Sequence, residues 1–381
     1  MKILILARGV PNSHDPQEGC FEMDQAKALA NLGHEVVVMA VDGRFRKYWR
    51  KIGLSKYKFD NVIAYKLFVF PNSVIKRLIS FKLGHKINSF LTKFLYKYIT
   101  KKHGEFDIVH THYLPIIFQG VNLKELNPNL KIIGTEHWSE LSKTPVSKEV
   151  KYLGDKSYSK LTRLITVSDA LRKKIFNEFS VSSAVIHNLI DLKYLNAQRA
   201  LNNNYTIVTV GSLNKIKGID ILIKAFYLSK LYLKGVDLKI VGDGKEYKNL
   251  LNLAKDLTIS EYITFTGQLN KEQVFHQLAD ADLYVLSSRS ENFPVAILEA
   301  SAMGLPAIAT LCGGVEELPL TNVTKIPKED PEAMAQALVD AYNNRINVEN
   351  EIIQKECLSY FSPEVIGKQI ESLYKQVLAN E

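Results

Sequence analysis

Short apolar runs alternate with amphipathic stretches along this chain; the alternation halts at a polar segment, 196–204, and then begins again. The first series of runs covers 2–7, 35–40, 62–67, 108–110, 131–135, 163–167 and 184–186, and the second covers 205–210, 238–241, 263–265, 283–286 and 307–309. Runs this short, mostly apolar on both faces and separated by helical patterns such as 21–32 and 149–159, read as strands of a parallel sheet covered by helices on each side. The restart predicts an α/β chain of two doubly wound, Rossmann-like domains, 1–195 and 196–361. Two such domains set a cleft between the carboxyl ends of their sheets, where open α/β sheets bind ligands. Ser362-Pro363-Glu364 and the residues to 378 read as a capped amphipathic helix. That helix (362–381) belongs to the second domain or crosses back to the first, and the sequence leaves both open.

At 381 residues, two domains are the natural division. With 46% hydrophobic and 23% charged residues, the composition is that of a globular protein. An apolar run of about 20 residues, long enough to span a membrane, is missing. The opening Met-Lys-Ile-Leu-Ile-Leu-Ala is short for a signal peptide and reads as a buried strand. Cys20, Cys312 and Cys357 have neither disulfide-framework nor metal-ligand spacing, so a reduced, cytoplasmic protein is expected. Charge is concentrated: 44–102 holds 16 Lys/Arg against Asp60, a local net of +15, which leaves −6 for the rest of a chain of net +9. Phe45, Tyr48, Trp49, Phe68, Phe70, Phe81, Phe90, Phe94, Tyr96 and Tyr98 are interleaved with these cations. Basic and aromatic residues together suit an anionic membrane surface, and a peripheral position on the inner face of the cell membrane is expected. A solvated helical face with inward aromatics, or a nucleic-acid site, uses the same residues; the membrane is preferred and no nucleic acid is expected.

The strand-end loops carry the unusual residues. Glu291-Asn292-Phe293-Pro294-Val295-Ala296-Ile297-Leu298-Glu299 places one carboxylate before a helix start and another about two turns deeper. Pro294 suits the first helical position, and the free N–H groups at 293–296 suit a phosphate. A carboxylate can accept hydrogen bonds from two neighbouring hydroxyls, so the order reads sugar, diphosphate, ribose. Gly211-Ser212-Leu213-Asn214-Lys215-Ile216-Lys217-Gly218 follows a strand as an anion loop lacking the Gly-Lys-Ser/Thr of a P-loop. Val241-Gly242-Asp243-Gly244 opens like a dinucleotide fingerprint, but Tyr247 stands where the third glycine belongs, which disfavours hydride transfer. Gly19 precedes a helix after the Arg8 loop, and His110, His112 and His137 fall at strand ends. The His pair lacks a third ligand, and Asp280-Ala281-Asp282 lies between a helix end and a strand, so no metal is expected.

The second half closely resembles the retaining nucleotide-sugar glycosyltransferases of family 4, the group 1 transferases with the GT-B fold. The resemblance rests on the Gly211 loop, Lys217-Gly218, Val241-Gly242-Asp243-Gly244, Phe265-Thr266-Gly267, the Glu291–Glu299 segment and Gly313-Gly314-Val315-Glu316-Glu317, in that order. The amino half, from the Arg8 loop through Gly33-His34-Glu35-Val36 to His137, looks like members that build bacterial surface polysaccharides. The resemblance implies an acceptor-binding first domain and a donor-binding second one. It gives Glu299 to the donor ribose, Glu291 to the transferred sugar and Lys217 to the β-phosphate. Backbone at Asn292, Phe293, Pro294 and Val295 would face sugar and diphosphate, with Gly211, Ser212, Lys215, Gly242 and Gly267 lining the donor site. Gly19 would approach the phosphate from the other domain, and His137 would face the reacting sugar. Ser212 stands where the family has an arginine, with Lys215 the nearest replacement charge, and Cys20 replaces a glycine. The implied activity is metal-independent retaining transfer of a hexosyl or N-acetylhexosaminyl group from a UDP- or GDP-sugar to a saccharide or lipid-linked acceptor, without cofactor. A sugar-nucleotide 2-epimerase of the same fold and a basic nucleic-acid binder are the alternatives.

Overall fold

The chain is described by a computed structural model over all residues except 13, 16–17, 45–49, 71–79, 144, 196–203, 346–347 and 380–381. Phe45, Tyr48 and Trp49 of the basic stretch, and nearly all of the polar stretch 196–204, therefore lie outside the described residues. Contacts divide the chain into two units, Met1–Leu189 with Pro363–Glu381 and Ile190–Ser362. The break precedes the polar stretch because the Ile190 N–H is donated to the Phe361 carbonyl at 3.1 Å, which ties this residue to the second unit.

The first unit runs β1 (Lys2–Leu6), α1 (Cys20–Asn31), β2 (Glu35–Asp42), β3 (Gly53–Phe59), β4 (Val62–Phe68), α2 (Phe81–His103), β5 (Ile108–His112), α3 (Leu114–Val121), β6 (Ile132–Glu136), α4 (Lys148–Ser157), β7 (Arg163–Thr166), α5 (Asp169–Phe179) and β8 (Ala184–Val185). Its sheet has the order β3-β4-β2-β1-β5-β6-β7-β8, parallel except for the antiparallel edge pair β3–β4. The apolar pattern misses β3, because Lys56 and Lys58 alternate outward with the half-buried Tyr57 and Phe59. Such an edge strand needs apolar residues on one face only.

The second unit runs β9 (Thr206–Val210), α6 (Ile219–Ser229), β10 (Asp237–Val241), α7 (Tyr247–Asp256), β11 (Ile263–Gly267), α8 (Lys271–Ala279), β12 (Leu283–Leu286), α9 (Val295–Ala302), β13 (Ala307–Thr310), β14 (Val323–Ile326), α10 (Pro331–Asn343) and α11 (Asn350–Phe361). Its sheet is parallel throughout, in the order β11-β10-β9-β12-β13-β14. Strand β14, also missed, is a four-residue edge. Strand order reverses between β9 and β12, and the carboxyl ends of strands at such a switch point are where open α/β sheets bind ligands.

The last helix, α12 (Pro363–Ala379), returns to the first unit. Its Ile366, Ile370, Leu373, Tyr374 and Val377 join the core formed by β1, β2 and α1. The Tyr374 hydroxyl meets His110 Nδ1 at 2.5 Å, and Nε2 of the same ring meets Thr135 Oγ1 at 2.7 Å. Burial first, then the neighbouring His112 and His137, holds His110 well below the usual imidazole range, so the ring is neutral.

Candidate active site

The loops after β9 and β12 are stapled to each other. The short turn Lys215–Lys217 is capped by Asn214, whose Oδ1 accepts the N–H groups of Ile216 and Lys217 at 2.9 and 3.2 Å. Ser287 Oγ donates to the Lys217 carbonyl at 2.9 Å, and the Arg289 N–H donates to the Ile216 carbonyl at 2.7 Å. Gly218 has φ of 60°, and a Cβ there would meet the Ser287 carbonyl oxygen at 2.0 Å, so only glycine permits this approach. The result brings Lys217 Nζ to 2.6 Å from Glu291 Oε1, across 74 positions of sequence. Ser288 Oγ donates to the same Glu291 oxygen at 2.6 Å.

Arg289, a residue not singled out above, holds the outer side of this loop. Its guanidinium makes two parallel 2.8 Å bonds to Asp220, pairs with Glu329 and donates to the Lys215 carbonyl. The hydrogen bonds to Asp220 and Glu329 raise its pKa further above the usual arginine range. Only its place in Ser288-Arg289-Ser290-Glu291, beside a carboxylate of interest, signals it in the sequence.

The start of α9 differs from the expectation. Pro294 is the N-cap residue and Val295 the first helical one. With φ of −86° and ψ of 77°, Pro294 forms an inverse γ-turn in which the Val295 N–H is donated to the Phe293 carbonyl at 3.1 Å. The expected free N–H at Val295 is thus already engaged, because ψ at Pro294 is far from the helical value and closes this turn one residue before the helix begins. Phe293 is buried and its ring packs against Phe361, 5.8 Å between centroids, so its side chain anchors the loop. Behind it, the Gly314 N–H reaches the Glu291 carbonyl at 3.3 Å. Glu299 is half-buried on α9. Burial, followed by the Glu291 and Glu299 carboxylates, pushes the pKa of the buried Tyr284 hydroxyl upward.

The remaining expected donor residues lie along the same edge. Gly211 and Gly242 use their N–H groups on protein carbonyls, those of Val241 at 2.9 Å and Gly267 at 3.0 Å, so their amides tie strands together. Gly267 faces open space. Ser212 and Lys215 are exposed, and the Ser212 hydroxyl accepts from Asn214 Nδ2 at 2.8 Å. Asp282 accepts the Thr206 N–H at 2.8 Å and Asp280 caps α8, which accounts structurally for the Asp-x-Asp pair. Among the described residues there is no group of three or more side chains arranged to hold a metal ion.

Gly19 and His137 belong to the first unit. Gly19, with φ of 71°, is packed against the Gly9 backbone, where a Cβ would meet the carbonyl oxygen at 2.3 Å. Beside it the fully buried Glu18 is bound by Lys66 at 2.7 Å, by Asn12 at 2.9 Å and by Arg44. Lys66 also lies 3.2 Å from Asp42. Burial works to raise Asp42, but the charge and hydrogen bonds of Arg44, with Lys66, outweigh it and hold the carboxyl well below the usual range. His137 follows β6, and its ring stacks on Tyr113 at 3.8 Å, with the Arg8 guanidinium 4.8 Å from the centre of the Tyr113 ring. Burial first, then His112 and Arg8, keeps His137 neutral. The sequence reading passes over Glu136. This fully buried carboxylate accepts the N–H groups of His137 and Trp138 at 3.1 and 3.0 Å and the Tyr158 hydroxyl at 3.0 Å. Burial pushes its pKa up to about 7.

Comparison with known proteins agrees with this architecture. The family model of glycosyltransferase family 4 matches residues 23–194, and that of glycosyl transferases group 1 matches residues 193–356. An uncharacterised glycosyltransferase of Haemophilus influenzae is 33% identical over 196 residues, 51% of this chain and 54% of that protein, so the match spans about half of the relative. The N-acetyl-alpha-D-glucosaminyl L-malate synthase of Bacillus anthracis is 27% identical over 303 residues, covering 72% of this chain and 76% of the relative. A sucrose-phosphate synthase of Thermosynechococcus elongatus shares the fold across 100% of both chains, with a TM-score of 0.79 at 17% identity. With the two family models running back to back from residue 23 to residue 356, the chain belongs to the group 1, family 4 glycosyltransferases of the GT-B fold.

Proposed function

We propose that the chain transfers a hexosyl or N-acetylhexosaminyl group from a UDP- or GDP-sugar to a saccharide or lipid-linked acceptor in bacterial surface polysaccharide assembly, with retention and without a metal. The observation that carries this reading is the 2.6 Å contact of Lys217 with Glu291 at the switch point of the second sheet. In that contact each neutralises the other. A diphosphate presents a denser negative charge to Lys217, and its capture releases Glu291 to accept hydroxyls of the transferred sugar. Binding of the phosphate and gripping of the sugar are thereby coupled.

The reaction needs negative charge stabilised on the departing β-phosphate, which Lys217 supplies from a position fixed beforehand. The donor C1–O bond to phosphate breaks while the acceptor oxygen bonds C1 on the same face. The acceptor proton passes to the leaving phosphate oxygen, so no protein base is required. Glu299 is assigned to the ribose, and Gly19 and His137 to the phosphate and the reacting sugar. A neutral imidazole can exchange hydrogen bonds with a hydroxyl without adding charge.

The test is donor turnover by Lys217→Ala and Glu299→Ala. Lys217→Ala lowers kcat by roughly 10²–10³-fold, as loss of one fixed electrostatic stabiliser does. Glu299→Ala acts chiefly on donor KM, raising it about tenfold or more, because charged hydrogen bonds to ribose contribute about 1.5–3 kcal/mol. Wild-type kinetics in both variants with a panel of UDP- and GDP-sugars would remove the assignment.

A further inference from the structure

Helix α2 turns an apolar stripe to solvent. Leu83, Ile87, Phe90, Phe94 and Tyr98 succeed one another at intervals of three and four, the spacing of a single helical face. All are exposed, Phe90 by 70% and Phe94 by 63% of their surfaces. The opposite face is used: Leu95, Tyr96 and Ile99 are buried, and Thr92 bonds Gln119 of α3 at 2.8 Å. The segment from Phe81 to His103 contains six lysines and no acid. Lys82, Lys86, Lys93 and Lys97 line one flank of the stripe, and of these Lys93 is paired with Glu125.

The basic surface continues onto the sheet edge. Lys56 is registered opposite Tyr65, so both project from one face of the sheet, and Tyr65 packs against Tyr98 and His103 of α2. Leu54 and Lys58, two positions to either side of Lys56, share that face and are exposed. Among the described residues no helix is long and apolar enough to cross a membrane, so an apolar stripe here meets lipid only from the side.

We infer that α2 and the outer face of β3 form a docking surface for an anionic lipid bilayer, with Phe90 and Phe94 entering the headgroup–acyl boundary and the lysines contacting lipid phosphates. Charge complementarity selects this occupant: an acid-free helix repels a second copy of itself and attracts a negative surface. A nucleic acid would use the lysines but leave Leu83, Ile87 and Phe90 in water. The inference does not depend on the proposed transfer reaction, because vesicle binding is measured without nucleotide sugar.

The test is co-sedimentation of the full chain with vesicles of phosphatidylcholine alone and of phosphatidylcholine with phosphatidylglycerol. The wild type is expected on the anionic vesicles, less as salt rises. The double variant Phe90→Ser/Phe94→Ser should partition roughly tenfold or more weakly. Lys86→Glu/Lys97→Glu should be weakened by a similar factor. Both variants alter exposed side chains, and unchanged circular dichroism and thermal midpoint confirm folding. Wild-type binding by both variants overturns the inference, as does failure of the wild type to bind anionic vesicles. A dimer that Phe90→Ser/Phe94→Ser dissolves, or RNA that displaces the protein from vesicles, also overturns it in favour of that partner.

Discussion

Glu136 shows how one buried group sets a pH dependence. Its folded pKa of about 7 lies above the ordinary value of 4.5, because burial disfavours the ionised form more than the Trp138, His137 and Leu114 amides and the Tyr158 hydroxyl favour it. A raised carboxyl pKa means that the protonated form folds better. The stabilisation is full below about pH 4.5 and is lost as pH rises through about 7. The shift corresponds to about 3 kcal/mol. Glu136→Gln keeps an acceptor for the His137 and Trp138 amides but cannot ionise. Urea unfolding at pH 5 and pH 8 should therefore show the variant gaining relative to wild type at the higher pH. An equal difference at both would show that Glu136 titrates normally. Lys217 belongs to the same scale: its meaning comes from the single contact with Glu291, and the kinetic variants above probe it directly.

At the scale of elements, the candidate donor site depends on two loops held backbone to backbone. Gly218 is the point of closest approach, and its substitution tests whether the staple matters. Gly218→Ala combines a left-handed φ with a clash against a backbone carbonyl that has no flexible end to yield. The expected loss is about 2 kcal/mol in denaturant unfolding, with a raised donor KM as Lys217 moves. A variant of unchanged stability and KM would mean that the loops adjust freely. Helix α2 is the second element of consequence, since its two faces serve different neighbours: one packs on α3 and β2, and the other is open.

For the whole molecule, the decisive element is the return of α12 to the first unit. Tyr374 and His110 are 264 positions apart and both fully buried, so their hydrogen bond pins the last helix to the middle of the first sheet. Tyr374→Phe retains the ring and leaves His110 Nδ1 without its partner. Loss of a buried hydrogen bond of this kind costs about 1–3 kcal/mol. The measurement is equilibrium unfolding followed by a first-unit probe such as Trp138 fluorescence; an unchanged midpoint would show that apolar contacts alone hold the helix.

The sequence by itself determined the alternation of strands and helices, the restart that makes two sheets, and the loops that carry the unusual residues. These follow from the spacing of apolar side chains and from Gly and Pro, whose effects are local to the chain. It did not reveal β3 or β14, whose edge positions need only half the apolar pattern. Tertiary structure alone decided which unit receives α12, because an amphipathic face fits any complementary apolar surface. It also decided that Lys217 meets Glu291, that the Val295 amide is taken by a γ-turn, and which of the described aromatics of 44–102 face outward. Pairing and burial are properties of what packs across from a residue, and that partner lies far along the chain.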